Sequence, residues 1–303
     1  MMMTTTAATN SVGPREAAPP IDAVLVIDKP IGPTSFDVVR RVRRAARIKR
    51  VGHGGTLDPA ASGVLPICLG EATKVSQFLL DADKEYAFTV CFGVETDTDD
   101  AAGTITARRD AGAVVEADVR RAMAAFRGPI AQVPPSYSAL KRAGRPLYEY
   151  ARAGEEIEIA ARNVVVHELE MISFAGPDAV AFTMRCSKGT YVRQLAADMG
   201  TATGAGAYCL ELRRTAVGDF GLADAGTPEE IAREPLGRWY RSAADALPHL
   251  PARALDEAEQ QDVSHGRALA RHGEDGFTRL VHDGELRAVA EPRGERLQPV
   301  VVL

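Results

Sequence analysis

The stretch Val51-Gly-His-Gly-Gly-Thr-Leu-Asp-Pro-Ala-Ala-Ser-Gly-Val-Leu-Pro-Ile67 sets four glycines and two prolines around one carboxylate, Asp58. Glycine lets backbone approach a ligand closely, and proline fixes φ, so such a loop is held in shape before anything binds. An aspartate presented by a rigid, glycine-lined loop is a candidate nucleophile or base. Asp-Pro is also common at turns, and on this pattern alone a plain turn is favoured. A phosphate-binding loop is not indicated, because no Gly-Lys-Ser/Thr follows and GxGxxG is absent.

Upstream, Ala23–Ile27 is a continuous apolar run of strand length that ends in the turn-rich Asp28-Lys-Pro-Ile-Gly-Pro33. Thr34 with Asp37 three residues on resembles a capping box, and Val38, Val42 and Ala45 then recur at helical spacing. That helix is basic: Arg40, Arg41, Arg43, Arg44, Arg47, Lys49 and Arg50 crowd the approach to Gly52, a candidate phosphate-contact surface. Downstream, Tyr86, Phe88, Val90 and Phe92 alternate with smaller residues at the strand period of two. The acidic run from Glu95 to Asp100 fails as a calcium loop, since Ala101 and Ala102 stand where an oxygen ligand and the turn glycine belong; an acidic turn between strands is expected.

Further strands are predicted over Val164–Phe174 and through Val180, Phe182, Met184 and Cys186. Thr190 is expected to cap a helix with the apolar stripe Val192, Leu195, Ala196 and Met199. Strands mixed with helices, without regular βαβ spacing, predict an α+β domain around a largely antiparallel sheet. The composition shifts near Ala243–Pro251. Beyond it, Asp283-Gly284 suits the primed turn of a hairpin within Phe277–Ala290, and Pro299–Leu303 is another strand candidate, giving a small β-rich C-terminal domain.

The bulk properties narrow the class. The 303 residues carry 46% hydrophobic and 25% charged side chains, an ordinary globular composition. No apolar run reaches the roughly 18 residues of a membrane span. Residues 1–20 have neither the basic nor the apolar region of a secretory signal and are expected to be a disordered tail, so a cytoplasmic protein is expected. Cys68, Cys91, Cys186 and Cys209 are scattered without metal-ligand spacing and read as buried thiols. The net charge of −5 argues mildly against nucleic acid, but a local basic patch outweighs an average over all faces.

With these segments in view, GHGGTLDPAASGVLPICLGEATK resembles the signature of the TruB family of tRNA pseudouridine synthases. DKPIGPTS (Asp28–Ser35) resembles the family's N-terminal motif, and Asp81–Gly103 the segment with its active-site tyrosine. Arg127–Glu155 resembles its RNA-gripping insertion, and CSKGTYVRQLAADMG (Cys186–Gly200) and LRRT (Leu212–Thr215) its last two active-site motifs. The resemblance runs in matching order from about Ile21 to Phe220. One departure is Gly54, where the family usually has a larger residue such as Thr.

The resemblance implies a pseudouridine synthase fold: a mixed, largely antiparallel sheet flanked by helices over residues 21–245, plus a PUA-like domain over 246–303. It implies isomerisation of the T-loop uridine (position 55 in tRNA numbering), extruded from its stack by base flipping. Asp58 takes the nucleophile position and Arg193 that of its partner; a guanidinium keeps a buried carboxylate ionised and oriented. Tyr86 matches the stacking tyrosine, although by period it shares a face with Phe88, and without the resemblance a plain core aromatic is the favoured reading. Tyr191 and Leu212 fall where the family lines the uracil pocket, and His53 where a histidine holds or displaces the flipped nucleotide. Lys29 supports the first motif or meets phosphate. Lys141, Arg142, Arg145 and Arg152, interleaved with Tyr148 and Tyr150, suit a clamp on the T-arm stem.

An isomerisation retains every atom, so no cofactor or metal is implied. The partner is tRNA through its T-arm, with no guide RNA, membrane or protein partner. The rival readings are a tRNA-folding chaperone with dispensable catalysis and a guide-RNA-dependent modifier; Asp58, Tyr86 and Arg193 together favour the enzyme, and the insertion from Arg127 favours one that acts alone.

Overall fold

The computed structural model describes residues 22–234 and 238–303. The expected tail at 1–20 lies outside the described residues. The chain starts with strand β1 (Ala23–Lys29), helix α1 (Ser35–Ala46) and strands β2 (Val51–His53) and β3 (Ser62–Leu69), followed by α2 (Ser76–Asp81) and β4 (Lys84–Phe92). A small hairpin, β5 (Val94–Thr96) and β6 (Ile105–Arg108), precedes α3 (Glu116–Ala124) and β7 (Gly128–Gln132). The short β8 (Lys141–Arg142), β9 (Arg145–Pro146) and α4 (Leu147–Arg152) lie within the segment that resembles an RNA-gripping insertion. Next come β10 (Arg162–Phe174), β11 (Val180–Cys186), α5 (Val192–Thr203), β12 (Ala207–Val217), β13 (Phe220–Gly221), α6 (Pro228–Arg233) and β14 (Tyr240–Ser242). From Ala252 the chain builds β15 (Ala252–Ala254), α7 (Glu257–Ser264), β16 (Leu269–Ala270), β17 (Thr278–His282), β18 (Glu285–Arg293) and β19 (Arg296–Val302).

The large sheet runs β14-β1-β3-β12-β4-β11-β10-β7, with β2 and β13 as side pairings. All its pairs are antiparallel except β3 with β12. The α+β expectation is thus met, with the C-terminal strands in a separate five-stranded sheet.

Local chemistry accounts for the elements near the site. Thr34 accepts from the Asp37 amide and Asp37 accepts from that of Thr34, so the capping box closes as predicted, satisfying two otherwise orphaned donors. Val38, Val39 and Val42 bury one face of α1 against Leu25, Ile27, Leu65 and Ile67 of β1 and β3. On β4 the alternation holds: Tyr86, Phe88, Val90 and Phe92 are buried with the α5 stripe Val192, Leu195, Ala196 and Met199. Phe88 stacks on Phe182 with ring centroids 5.2 Å apart. Each such side chain removed from water stabilises the fold by about 1.5–3 kcal/mol. Asp283 and Gly284 both take positive φ, as the two-residue hairpin turn requires.

Two expectations need correction. Thr190 does not cap α5; its hydroxyl donates to the Ser187 carbonyl, and the cap position falls on Tyr191, which makes no side-chain cap bond. The side chain of Gln132 on β7 meets that terminus instead, accepting from the Tyr191 amide and donating to its carbonyl. Cys91 is only half-buried, because it sits on the opposite face of β4 from Tyr86, whereas Cys68, Cys186 and Cys209 are buried.

The C-terminal sheet rests on the large one. Leu286 and Val289 pack with Val24, Val26, Phe78 and Leu79, and Phe78 meets Phe277 edge-on at 5.1 Å. Leu79 is thereby pinned, and Gly54 is what leaves it room: a Cβ at residue 54 would lie 2.8 Å from the Leu79 Cβ. Gly54→Ala is therefore expected to lower stability by about 1–3 kcal/mol through overpacking. In a double-mutant cycle read by urea denaturation, Leu79→Gly, which removes that Cβ, should cost less in the Gly54→Ala background than in wild type. Strictly additive losses would show that the glycine is not kept open for Leu79.

Candidate active site

The site lies where the loop 54–61, the sheet face of β4 and β12, and the start of α5 converge. Sheet register does much of the placing. Tyr86 on β4 lies opposite Arg214 on β12, and Phe88 opposite Leu212, so Tyr86, Leu212 and Arg214 share one face. That face, with Leu57, Asp58, Tyr191 and Arg193, lines a cavity of about 350 Å³.

Arg193, in the first turn of α5, is 3% exposed. Its Nε donates to Asp58 Oδ2 at 2.9 Å and stands 3.6 Å from Asp100 Oδ2. Its remaining nitrogens donate to the carbonyls of Thr98 and Tyr137 at 2.6 and 3.1 Å. A buried guanidinium without acceptors would be strongly destabilising, so this set fixes the approach of four segments at once. Asp58 Oδ1 accepts no hydrogen bond from the described residues and is the oxygen left for a substrate.

The acidic turn, expected only to link strands, proves to be part of this arrangement. Asp100 is buried, and its Oδ1 accepts from the Thr98 hydroxyl at 2.6 Å and the Ala102 amide at 3.0 Å, which leaves Oδ2 for Arg193. Burial, as the largest cause, pushes the neighbouring Asp99 carboxyl up to about 6. The sequence held one usable signal for Asp100: four carboxylates within six residues that fit no calcium loop.

A second buried arginine holds the loop. Arg214 Nε donates to the Val64 carbonyl at 2.8 Å, and its terminal nitrogens donate to the carbonyls of Thr56 and Gly55. Gly63 makes the approach possible. It lies at φ +109° opposite Arg214 in the parallel pair, and a Cβ there would sit 2.0 Å from the Arg214 carbonyl oxygen. Arg214 stood inside the LRRT segment, where only Leu212 was singled out.

The other sequence-predicted residues divide. Tyr191 and Leu212 line the cavity with Asp58, Tyr86 and Arg193. Burial pushes the Tyr86 phenol up to about 12 and raises that of Tyr191, so both stay protonated near neutrality. His53 stands at the end of β2, outside the cavity lining; its Nδ1 accepts from the Gly55 amide at 3.3 Å. Burial and then Arg214 lower its pKa, which suits a neutral ring. Lys29 is fully buried and donates to the carbonyls of Pro30 and Pro33 at 2.9 and 3.0 Å. It braces the first motif, and its ammonium is too enclosed to meet phosphate. Lys84, not singled out from sequence, lines the cavity and donates to the carbonyls of Leu80 and Ala82, both at 2.6 Å, at the end of α2.

Residues 43–192 match the family model described as TruB family pseudouridylate synthase (N terminal domain). Residues 250–303 match that described as tRNA Pseudouridine synthase II, C terminal. A protein named tRNA pseudouridine synthase B from an Azoarcus species is 47% identical over 92% of this chain and 94% of its own length. The chain belongs to the TruB family of pseudouridine synthases. A second TruB relative, also named tRNA pseudouridine synthase B, from Burkholderia mallei, is 53% identical over 86% of this chain and 84% of its own. Among solved structures, a Cbf5-Nop10-Gar1 complex contains a chain with TM-score 0.73 and 28% identity, covering 92% of this chain and 84% of that one. As a TruB-family member the protein is an isomerase that forms pseudouridine.

Two buried ammonium groups give the site a pH signature. Desolvation, as the largest cause, lowers Lys29 and Lys84 to about 8 from an ordinary 10.5. The unfolded chain keeps both protons up to the ordinary value while the folded chain sheds them near 8. Over that interval the unfolded state holds more protons, so these two groups make stability rise with pH by up to about 1.4 kcal/mol per unit each. Lys29→Met should remove one of the two increments, seen as a shallower rise of the urea midpoint between pH 8 and 10. Equal slopes for variant and wild type would refute the burial cost assigned to Lys29.

Proposed function

We propose that this enzyme converts the T-loop uridine at position 55 of tRNA to pseudouridine, with Asp58 as nucleophile. The observation that carries the reading is the Asp58–Arg193 pair, held at 2.9 Å beside a cavity lined by Tyr86, Tyr191 and Leu212. The reaction breaks the bond from uracil N1 to C1′ of the ribose, turns the base and joins C5 to C1′; the C5 proton leaves and N1 gains one. Asp58 Oδ1 bonds to C1′ as the N1–C1′ bond breaks and is displaced when C5 bonds to C1′, while Arg193 holds Oδ2 and fixes the carboxylate's orientation. Asp100 positions Arg193 from behind. Tyr86 presents a protonated ring to the uracil, and Tyr191 and Leu212 bound the base.

A stacked and paired uridine cannot reach Asp58, so the target is flipped into the cavity, with His53 beside the vacated position. The substrate class is supported by the names of the close relatives, each called a tRNA pseudouridine synthase. The insertion from Arg127 grips the T-arm stem: Arg145 lies over the Tyr150 ring at 4.2 Å and Arg152 over Tyr148 at 5.4 Å, an interleaving of cations and rings suited to RNA. On this reading the enzyme acts without a guide RNA, protein partner, metal or other cofactor, and residues 246–303 form a small additional RNA-holding domain.

The test is incubation of the purified protein with unmodified elongator tRNA transcript, without guide RNA, ATP or added metal, followed by mapping of pseudouridine. A single modification at position 55 is expected; tight binding without modification would favour the chaperone or guide-dependent reading. Asp58→Asn is expected to abolish product while keeping tRNA affinity within a few-fold. Arg193→Ala should cut turnover by about 100-fold or more, the scale of losing an electrostatic partner of the reacting group. Retained turnover in Asp58→Asn would exclude it as nucleophile.

A further inference from the structure

Phe36 and Ile31 are 59% and 67% exposed, values at odds with side chains of their size. Scattered exposed hydrophobics need no explanation, but these are not scattered. Of nine large hydrophobics exposed among the described residues, Leu80 lines the cavity, and Ile31 and Phe36 flank the segment bonded to the loop that carries Asp58. The segment bearing Ile31 and Phe36 is bonded to the catalytic loop. The Gly32 amide donates to the Pro59 carbonyl at 2.8 Å, and the Ser35 hydroxyl both donates to the Leu57 carbonyl and accepts from its amide at 2.9 and 2.8 Å. Phe36 therefore moves as one piece with the loop carrying Asp58.

Its surroundings are cationic. The Arg40 guanidinium lies over the Phe36 ring at 5.8 Å, making a flat face with a positive edge. Along α1 and the segment that follows it, Arg40, Arg41 and Arg50 pair with Asp37, Glu229 and Glu71, whereas Arg43, Arg44, Arg47 and Lys49 have no acidic partner among the described residues. An aromatic platform leading into unpaired cations matches a nucleobase followed by its phosphates better than an apolar protein surface.

We propose, on the functional reading above, that Phe36, backed by Arg40 and flanked by Ile31, is a stacking platform for a nucleobase of the substrate adjacent to the extruded uridine. Extrusion leaves the neighbouring bases without a stacking partner, and a ring fixed to the catalytic loop replaces the lost contact. Phe36 is thus a substrate-positioning residue outside the cavity.

The test compares wild type, Phe36→Ala and Phe36→Tyr on a T-arm hairpin, with 2-aminopurine at the nucleotide beside the target in a parallel series. Removing a base-stacking ring should raise KM about tenfold while kcat stays within twofold, as for an interaction made equally in ground and transition states. Phe36→Tyr should restore KM. The 2-aminopurine emission, quenched by stacking, should be higher in the Phe36→Ala complex than in wild type, with the thermal midpoint unchanged. Wild-type turnover with KM and emission unaltered in Phe36→Ala overturns the platform and leaves the functional reading intact. Failure of wild type to modify the hairpin sinks that reading and the platform with it. Unchanged RNA parameters with loss of self-association in Phe36→Ala would reassign the patch to protein contact.

Discussion

A guanidinium withdrawn from water must find acceptors for its donors or it will not stay buried, and Arg193 meets that demand with four residues from three other parts of the chain. Asp58 comes from the loop after β2, Asp100 and Thr98 from the turn of the β5–β6 hairpin, and Tyr137 from the start of the insertion. The arginine itself comes from α5, whose apolar stripe locks the helix to the face of β4. The Asp58 carboxylate, the base of the insertion and the central core are thus fixed by a common constraint. Removing any acceptor leaves charge uncompensated in a place that water does not easily reach.

Arg214 imposes a second constraint of the same kind. Its bonds to the carbonyls of Gly55, Thr56 and Val64 shape the stretch around Asp58, and the absence of a side chain at Gly63 lets β12 come close enough to make them. The parallel pairing of β3 with β12 occurs at this point, bringing Leu212 and Arg214 beside a loop about 150 residues earlier. Gly54 performs a related service on the other side, leaving room for Leu79, which the C-terminal sheet presses inward. Glycine at that position, a departure from the family pattern, goes with tight packing of α2 against the loop.

The basic helix before the loop shows how one sequence feature divides in three dimensions. Seven cations read as a single phosphate surface, yet three of them are paired with carboxylates, two of these reached from distant segments. Such exposed pairs contribute little to stability, but they decide which cations face an incoming polyanion uncompensated.

What the sequence determined by itself was whatever depends on local order. The period-two alternation of β4, the Thr34–Asp37 box, the α5 stripe and the Asp-Gly hairpin turn follow from near-neighbour sterics and from burial of one face, and each is present in the structure. The linear motifs also marked Asp58, Tyr86, Arg193, Tyr191 and Leu212, which converge on one cavity. Tertiary structure alone decided the rest. Asp100 looked like any acidic turn and nothing marked Gln132, because Arg193 and Tyr191, which they hold, lie in other segments; Thr190, read as a helix cap, bonds instead to Ser187 three residues back. Of the two roles open to Lys29, its burial with bonds to the Pro30 and Pro33 carbonyls favours support of the first motif. The physical reason is plainest for Asp100 and Gln132: local pattern fixes a backbone's shape and which face is apolar, while their partners depend on strand register and helix docking, which bring distant residues within hydrogen-bond reach only once the chain has folded.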